Sequence, residues 1–288
     1  MLRSCFPTLL ASLALFLASP LPAQNLQALE KHLKANYERK AFVLRNLWNG
    51  PEIKYNSAGH TPQIGAVCSW TVCARIEVKK LKLRRDRLEL EGIHLFTYYK
   101  DKEKRFAHTR SRQAINITVQ LNEDQLNENS LNELLANVFS RTGEMSPHQL
   151  PSYWQAFLQG CNKEGLCSDP RVESATQPPG SVLGFLEQPQ RRSIYSVGGG
   201  VSKPKCVTCP APHYSEAARQ AGFQGTVDLW AVVNENGRVE EIQVAKPLGM
   251  GLDEEAVNTI QQWQFEPARR NGEPVAVRLI LTMGFHLY

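Results

Sequence analysis

The last fourteen residues, VAVRLILTMGFHLY, alternate without a break. Val275, Val277, Leu279, Leu281, Met283, Phe285 and Leu287 fall on one side. Ala276, Arg278, Ile280, Thr282, Gly284, His286 and Tyr288 fall on the other. A period of two over this length specifies a strand with one face in a core and one face free to be mixed. Such a strand needs neighbours, and the residues before it supply them.

From Pro210 the chain reads as a small α+β unit. Ser215 is placed to cap a short helix holding Ala217, Ala218 and Arg219, and Gly222 to end it. TVDLWAVV alternates as a strand, NENG supplies a hairpin turn at Gly237, and RVEEIQVA pairs back. Asp253 is expected to cap the next helix, with Glu254 and Glu255 in its first turn. Leu252, Ala256, Val257, Ile260 and Trp263 form that helix's buried face. NGEP then turns the chain into the last strand. The module is two helices on a three-stranded antiparallel sheet.

Residues 24–167 read as a second α+β domain with an antiparallel sheet. A helix opens it, with Leu26, Leu29, Leu33 and Tyr37 on one face. Short apolar runs follow from Trp70 to Phe96, and the parity change between Val78 and Leu81 predicts a bulge. RRDR is the expected hairpin turn. AINITVQL is a further strand, Ser130 and Glu133 form a capping box, and PSYWQAFLQG is a short apolar helix. Residues 168–205 carry Pro, Gly and Ser and read as a linker, with IYSV as a brief extended piece. The linker reaches at most ~120 Å at ~3.1 Å per residue.

The first 23 residues, MLRSCFPTLLASLALFLASPLPA, have one positive charge, an apolar run and small residues at the end. This is the pattern of a cleaved secretory signal peptide and predicts a periplasmic product. The competing expectation is an uncleaved leader holding the chain on the periplasmic side of the inner membrane. The net charge of +5 is spread evenly and does not argue for nucleic acid.

Six cysteines remain beyond the leader, in three close pairs: CSWTVC, CNKEGLC and CVTC. In an exported chain this predicts the disulfides Cys68–Cys73, Cys161–Cys167 and Cys206–Cys209. Zinc competes for the same residues, but its pattern repeats two C-x-x-C pairs and only one is present, so no metal or other cofactor is expected. Cys206 and Cys209 have redox-motif spacing without the strand-to-helix setting of a thiol oxidoreductase.

The closing module resembles the TonB C-terminal domain. The residues that carry the resemblance are Pro212, Tyr214, Ala218 and Arg219, then Gly222, Gly225 and Gly237. After them come Gly251-Leu252-Asp253, Ala256, Trp263-x-Phe265-x-Pro267-Ala268 and Gly272-x-Pro274-Val275. A looser likeness, carried by YERKAFVLRNLWNGPEIKY and SWTV, links residues 24–167 to regions that precede such modules in exported bacterial proteins. The resemblance implies that the last strand is an edge. It would accept an extended segment of an outer-membrane TonB-dependent transporter, or of another envelope protein, by strand addition. The implied partner-binding residues are Arg278, Ile280 and Thr282, with Tyr214 and Arg219 near the module's entry. A homodimer would cover the same edge.

Two features of the family are absent. The leader has no histidine, the first being His32, and no long Pro-Lys/Pro-Glu spacer follows. The resemblance therefore carries recognition rather than force transmission. No acid, base and nucleophile are spaced for catalysis, and His213 reads as a surface residue. The competing function is a thiol–disulfide or other envelope enzyme, acting through the C-x-x-C or the N-terminal domain.

Overall fold

The computed structural model describes residues 23–63, 68–140, 150–161, 167 and 193–287. Residues 1–22 of the expected leader and most of the expected linker lie outside these residues. Two five-stranded sheets dominate an α+β architecture. Among the described residues no helix is long and apolar enough to cross a membrane.

The first sheet contains β1 (Ala41–Val43), β2 (Glu52–Tyr55), β3 (Arg75–Leu83), β4 (Arg87–Lys100) and β5 (Arg105–Gln120), in the order β1-β3-β4-β5-β2. Helices α1 (Ala23–Tyr37) and α3 (Glu128–Val138) contribute Leu33, Leu131, Leu134, Leu135 and Val138 to its core. The β3–β4 pairing slips between Val78 and Lys80, where the parity change predicts a bulge. Arg84 and Arg87 close the expected hairpin, Arg84 N donating to Arg87 O at 2.8 Å.

Three details depart from expectation. The sheet is not wholly antiparallel, because β2 joins β5 in parallel. Trp70–Cys73 forms a one-turn helix, α2, started by the Ser69 side chain. Helix α3 is capped by Asn127, whose side chain accepts from Ser130 N at 2.9 Å, and not by Ser130. Asn127 stands three residues earlier, so it satisfies the helix's free amides first.

The second sheet contains β8 (Gly225–Val233), β9 (Val239–Lys246) and β12 (Glu273–Phe285) as its antiparallel core. Helices α5 (Glu216–Ala221) and α6 (Leu252–Ile260) accompany it. Ser215 caps α5 and Gly222 ends it in the left-handed conformation, as read. Asp253 does not cap α6. Gly251 holds that position, and the Asp253 carboxylate turns back to accept from Leu248 N at 2.8 Å and Gly249 N at 2.6 Å.

This second core is not confined to the residues after 206. Phe96, Tyr99, Trp154 and Phe157 pack with Val227, Leu229, Val257 and Phe285 in one cluster. Helix α4 (Ser152–Gln159) packs beside β9. Backbone bonds tie the halves together: Tyr99 N donates to Leu248 O at 3.0 Å, and Met250 N to Thr97 O at 2.8 Å. Gly249 lies so close to β4 that a Cβ there would sit 2.5 Å from Thr97 O.

The structure closes the disulfides Cys68–Cys73, Cys161–Cys167 and Cys206–Cys209. Each spans a short loop, so each restricts the unfolded chain only modestly.

Candidate functional site

The last strand organises the site. On one side β12 pairs with the whole of β8, from Val277 opposite Val233 to Phe285 opposite Gly225. On its other side two short strands lie end to end. β11 (Ala268–Arg270) takes residues 273–275 through the Asn271-Gly272 turn, and β6 (Ile194–Ser196) takes residues 276–278 in parallel. Among the described residues no strand pairs with that side of residues 279–285.

The alternation read from the sequence holds along that stretch. Leu281, Met283 and Phe285 are buried, whereas Ile280, Thr282 and Gly284 are exposed. It fails at Ala276, which is buried although it belongs to the mixed face. Ala276 is where β6 lies alongside.

Arg278, Ile280 and Thr282 come together as a row on the mixed face. Arg278 reaches Glu241 of β9 at 3.4 Å. Thr282 donates to Asp228 at 2.7 Å, and Asp228 faces Lys246 at 3.8 Å. Two members of the row are thus held by the sheet, and Ile280, 36% exposed opposite Trp230, stands between them.

Tyr214 meets the far end of the strand. Its ring packs edge-on against Phe285 at 5.7 Å, and its hydroxyl donates to Phe223 O at 2.5 Å. Burial raises the Tyr214 phenol above its ordinary value, and the nearby Arg219 charge opposes that shift. Arg219 itself is exposed and pairs with Glu216 on its own helix at 3.8 Å. It does not join the row on β12.

Cys206 lies in β7 (Lys205–Thr208), which pairs with β10 (Gln264–Glu266) and is exposed throughout. Its pair therefore starts no helix. Val207 between them is 66% exposed, and Trp263 donates to Pro210 O just beyond at 3.0 Å. His213 is exposed, as expected.

The sequence reading missed the seat of β6. Its trace was IYSV, an apolar island before three glycines in otherwise polar surroundings.

Residues 210–287 match the model of the family described as Gram-negative bacterial TonB protein C-terminal. This part of the chain is a TonB C-terminal domain. Protein tonB2 of Pseudomonas aeruginosa is 44% identical over 62 residues, which cover 21% of this chain and 23% of that protein. Protein TonB of Vibrio cholerae is 29% identical over 118 residues, covering 40% and 44%. Protein TonB of Xanthomonas campestris pv. campestris is 35% identical over 77 residues, covering 26% and 34%. The chain thus spans less than half the length of these curated relatives. A solution NMR structure of the Pseudomonas aeruginosa TonB C-terminal domain aligns at 25% identity. The alignment covers 31% of this chain and 89% of that one, with a TM-score of 0.26. The TonB C-terminal domain holds the whole β12 row and Tyr214, while β6 and Cys206 precede the matched residues.

Proposed function

We propose that the TonB C-terminal domain of this chain is a recognition module of the periplasm, which takes an extended segment of an outer-membrane transporter or another envelope protein by strand addition along β12. The observation that supports this reading most is the pairing of β12. It has a continuous neighbour from Val277 to Phe285 on one side and, among the described residues, only three-residue strands on the other, ending at Arg278. Main-chain N–H and C=O groups of an edge strand supply affinity for an added strand, and flanking side chains set its choice. The β12 row and Tyr214 are the side chains in place for that second task. Export through a cleaved leader belongs to the same proposal. The thiol–disulfide reading draws no support from Cys206, which lies in β7, or from Cys209 just past its end, because neither stands at a helix start.

The test is titration of a TonB-box peptide into the mature full chain, beside Ile280→Ala and Ile280→Pro. The full chain is needed because the core is shared between its two halves. Ile280→Ala should bind within about threefold of wild type, because main-chain pairing dominates. Ile280→Pro, shown to be folded by circular dichroism, should lose about tenfold or more, the worth of roughly 1.4 kcal/mol. Undiminished binding by a folded proline variant would move recognition away from β12. Self-association of the wild-type chain that the peptide reverses would mean that a second copy uses the same edge.

A further inference from the structure

The seat of β6 carries an inference that rests on the reading above and deepens it. Ile194, Tyr195 and Ser196 run parallel to β12, in register with Ala276, Val277 and Arg278. This is the geometry of an added strand, supplied by the chain itself. Ile194 and Ser196 are exposed, whereas Tyr195 and the adjacent Val197 are half-buried against the second core, with the Arg270 guanidinium 4.9 Å above the Tyr195 ring.

The buried anchor lies downstream. Val201 is buried in the second core. Ser202 N donates to Arg269 O at 2.9 Å, and Arg269 N returns a bond to Ser202 Oγ at 2.8 Å. Between strand and anchor stand Gly198, Gly199 and Gly200, with φ of 109°, 57° and 90°. No atom lies within 4 Å of where their Cβ atoms would be, so the backbone turn and not packing requires glycine there. Gly198 N to Val201 O and Val201 N to Gly198 O, both at 3.0 Å, close this turn, and the strand leaves by opening it while Val201 and Ser202 stay docked.

We infer that the side of β12 over residues 276–278 is a receiving surface for an extended segment that runs parallel to β12 with an aromatic side chain at its centre, and that Ile194–Ser196 is the chain's own occupant, which a partner must displace to use the whole edge. The partner is specified by this chemistry. Its backbone pairs with β12, its ring lies under Arg270, and its flanking side chains face solvent. The tether gives β6 an effective concentration in the millimolar range, so a free segment gains little until β6 is weakened or the partner reaches further along residues 279–285.

The probe is a synthetic peptide with the sequence of residues 193–201. It is titrated to millimolar concentration into the mature full chain and into its Ile194→Gly/Tyr195→Gly variant, and followed by NMR of the backbone amides of Ala276, Val277 and Arg278. The variant should show saturating shifts at these amides and the wild type none. Adding Arg270→Ala to the variant should weaken binding several-fold. Equal shifts in both chains would mean that β6 does not occupy the edge, and shifts in neither would mean that the edge receives no strand. Either result overturns the inference. If the variant does not fold, hydrogen exchange of the wild type decides. The amides of Ile194–Ser196 should exchange at least tenfold faster than those of β8, and exchange as slow as β8 would make β6 a permanent strand. The peptide is the chain's own sequence, so success here does not depend on a transporter segment. Binding of a TonB-box peptide with no result here would leave the broader proposal standing.

Discussion

Trp154 donates its indole N–H to Glu254 at 3.0 Å, across 100 residues of sequence. Around this bond the segment between β9 and α6 is held from both halves of the chain. Gly251 N donates to Thr71 Oγ1 at 2.8 Å, and Asp253 accepts the two amides before it. Burial raises the Asp253 carboxyl to about 7, reinforced by the Glu254 charge. Burial likewise raises Glu254, against the bonds from Trp154 and Ser69.

These raised carboxyls set a pH dependence. In the unfolded chain they lose their protons near their ordinary values, and in the folded chain only at higher pH. The Asp253 contribution is therefore complete below about pH 4 and is lost as pH rises through about 7, and the Glu254 contribution is lost in the same direction. Glu254→Gln keeps an acceptor for Trp154 and removes the buried charge. It should raise stability at pH 8 by about 1–3 kcal/mol and leave it unchanged at pH 4, as read by urea unfolding at both values.

Gly249→Ala tests the contact between the halves. The added Cβ would meet Thr97 O and Tyr98 Cα at 2.5 Å, with the backbone at a φ of 95°. Gly272→Ala is the control: its φ is 86° and its surroundings are open. Thermal unfolding should show a loss of about 1 kcal/mol for Gly272→Ala and ~2–4 kcal/mol for Gly249→Ala. Equal losses would mean that the close approach is relieved without cost.

His94 gives the N-terminal sheet the opposite slope. It is buried, neither ring nitrogen has a partner, and burial lowers its pKa to about 4. The unfolded histidine takes up its proton near 6.5, so stability falls as pH drops from there to about 4. His94→Leu should remove roughly 3 kcal/mol of that acid sensitivity, at 1.36 kcal/mol per pKa unit. Part of the slope should persist through His108, which burial first and then Arg75 also lower to about 4. The check is unfolding at pH 7 and pH 4.5.

Replacing Cys206 and Cys209 by serine should cost no more than about 2 kcal/mol, because so short a loop restricts the unfolded chain little. Peptide binding at β12 should be unchanged. An abolished thiol-exchange activity in the serine variant would instead revive the enzyme reading.

Elements with a strong period were legible: the alternation over residues 279–285, the Val78 bulge and the buried face of α6 from Leu252 to Ile260, though Trp263, expected on that face, lies beyond the helix and is half-buried. Short elements were not. β11 has three residues and α2 four, too few to show a period. Asn127 and Ser130 each offer a cap, and only the folded chain shows where α3 begins. The direction of β2 depends on how its connection runs, not on its four side chains. Phe96 ends an apolar run and Trp154 and Phe157 lie on an apolar helix, but apolarity does not say which core, and together with Tyr99 they joined the one on the far side of the linker. In the candidate row, spacing aligned Arg278, Ile280 and Thr282, whereas Arg219 was carried by a motif whose reason is local to α5.

The pairing of β12 also fixes how the domain would bear a pull. A load along β12 is shared as shear by the ladder to all nine residues of β8, whose bonds must fail together. The ladder to β6 has only three residues and a glycine joint at one end, so it can peel one bond at a time. Under tension the strand would let go of its own chain long before it let go of the sheet.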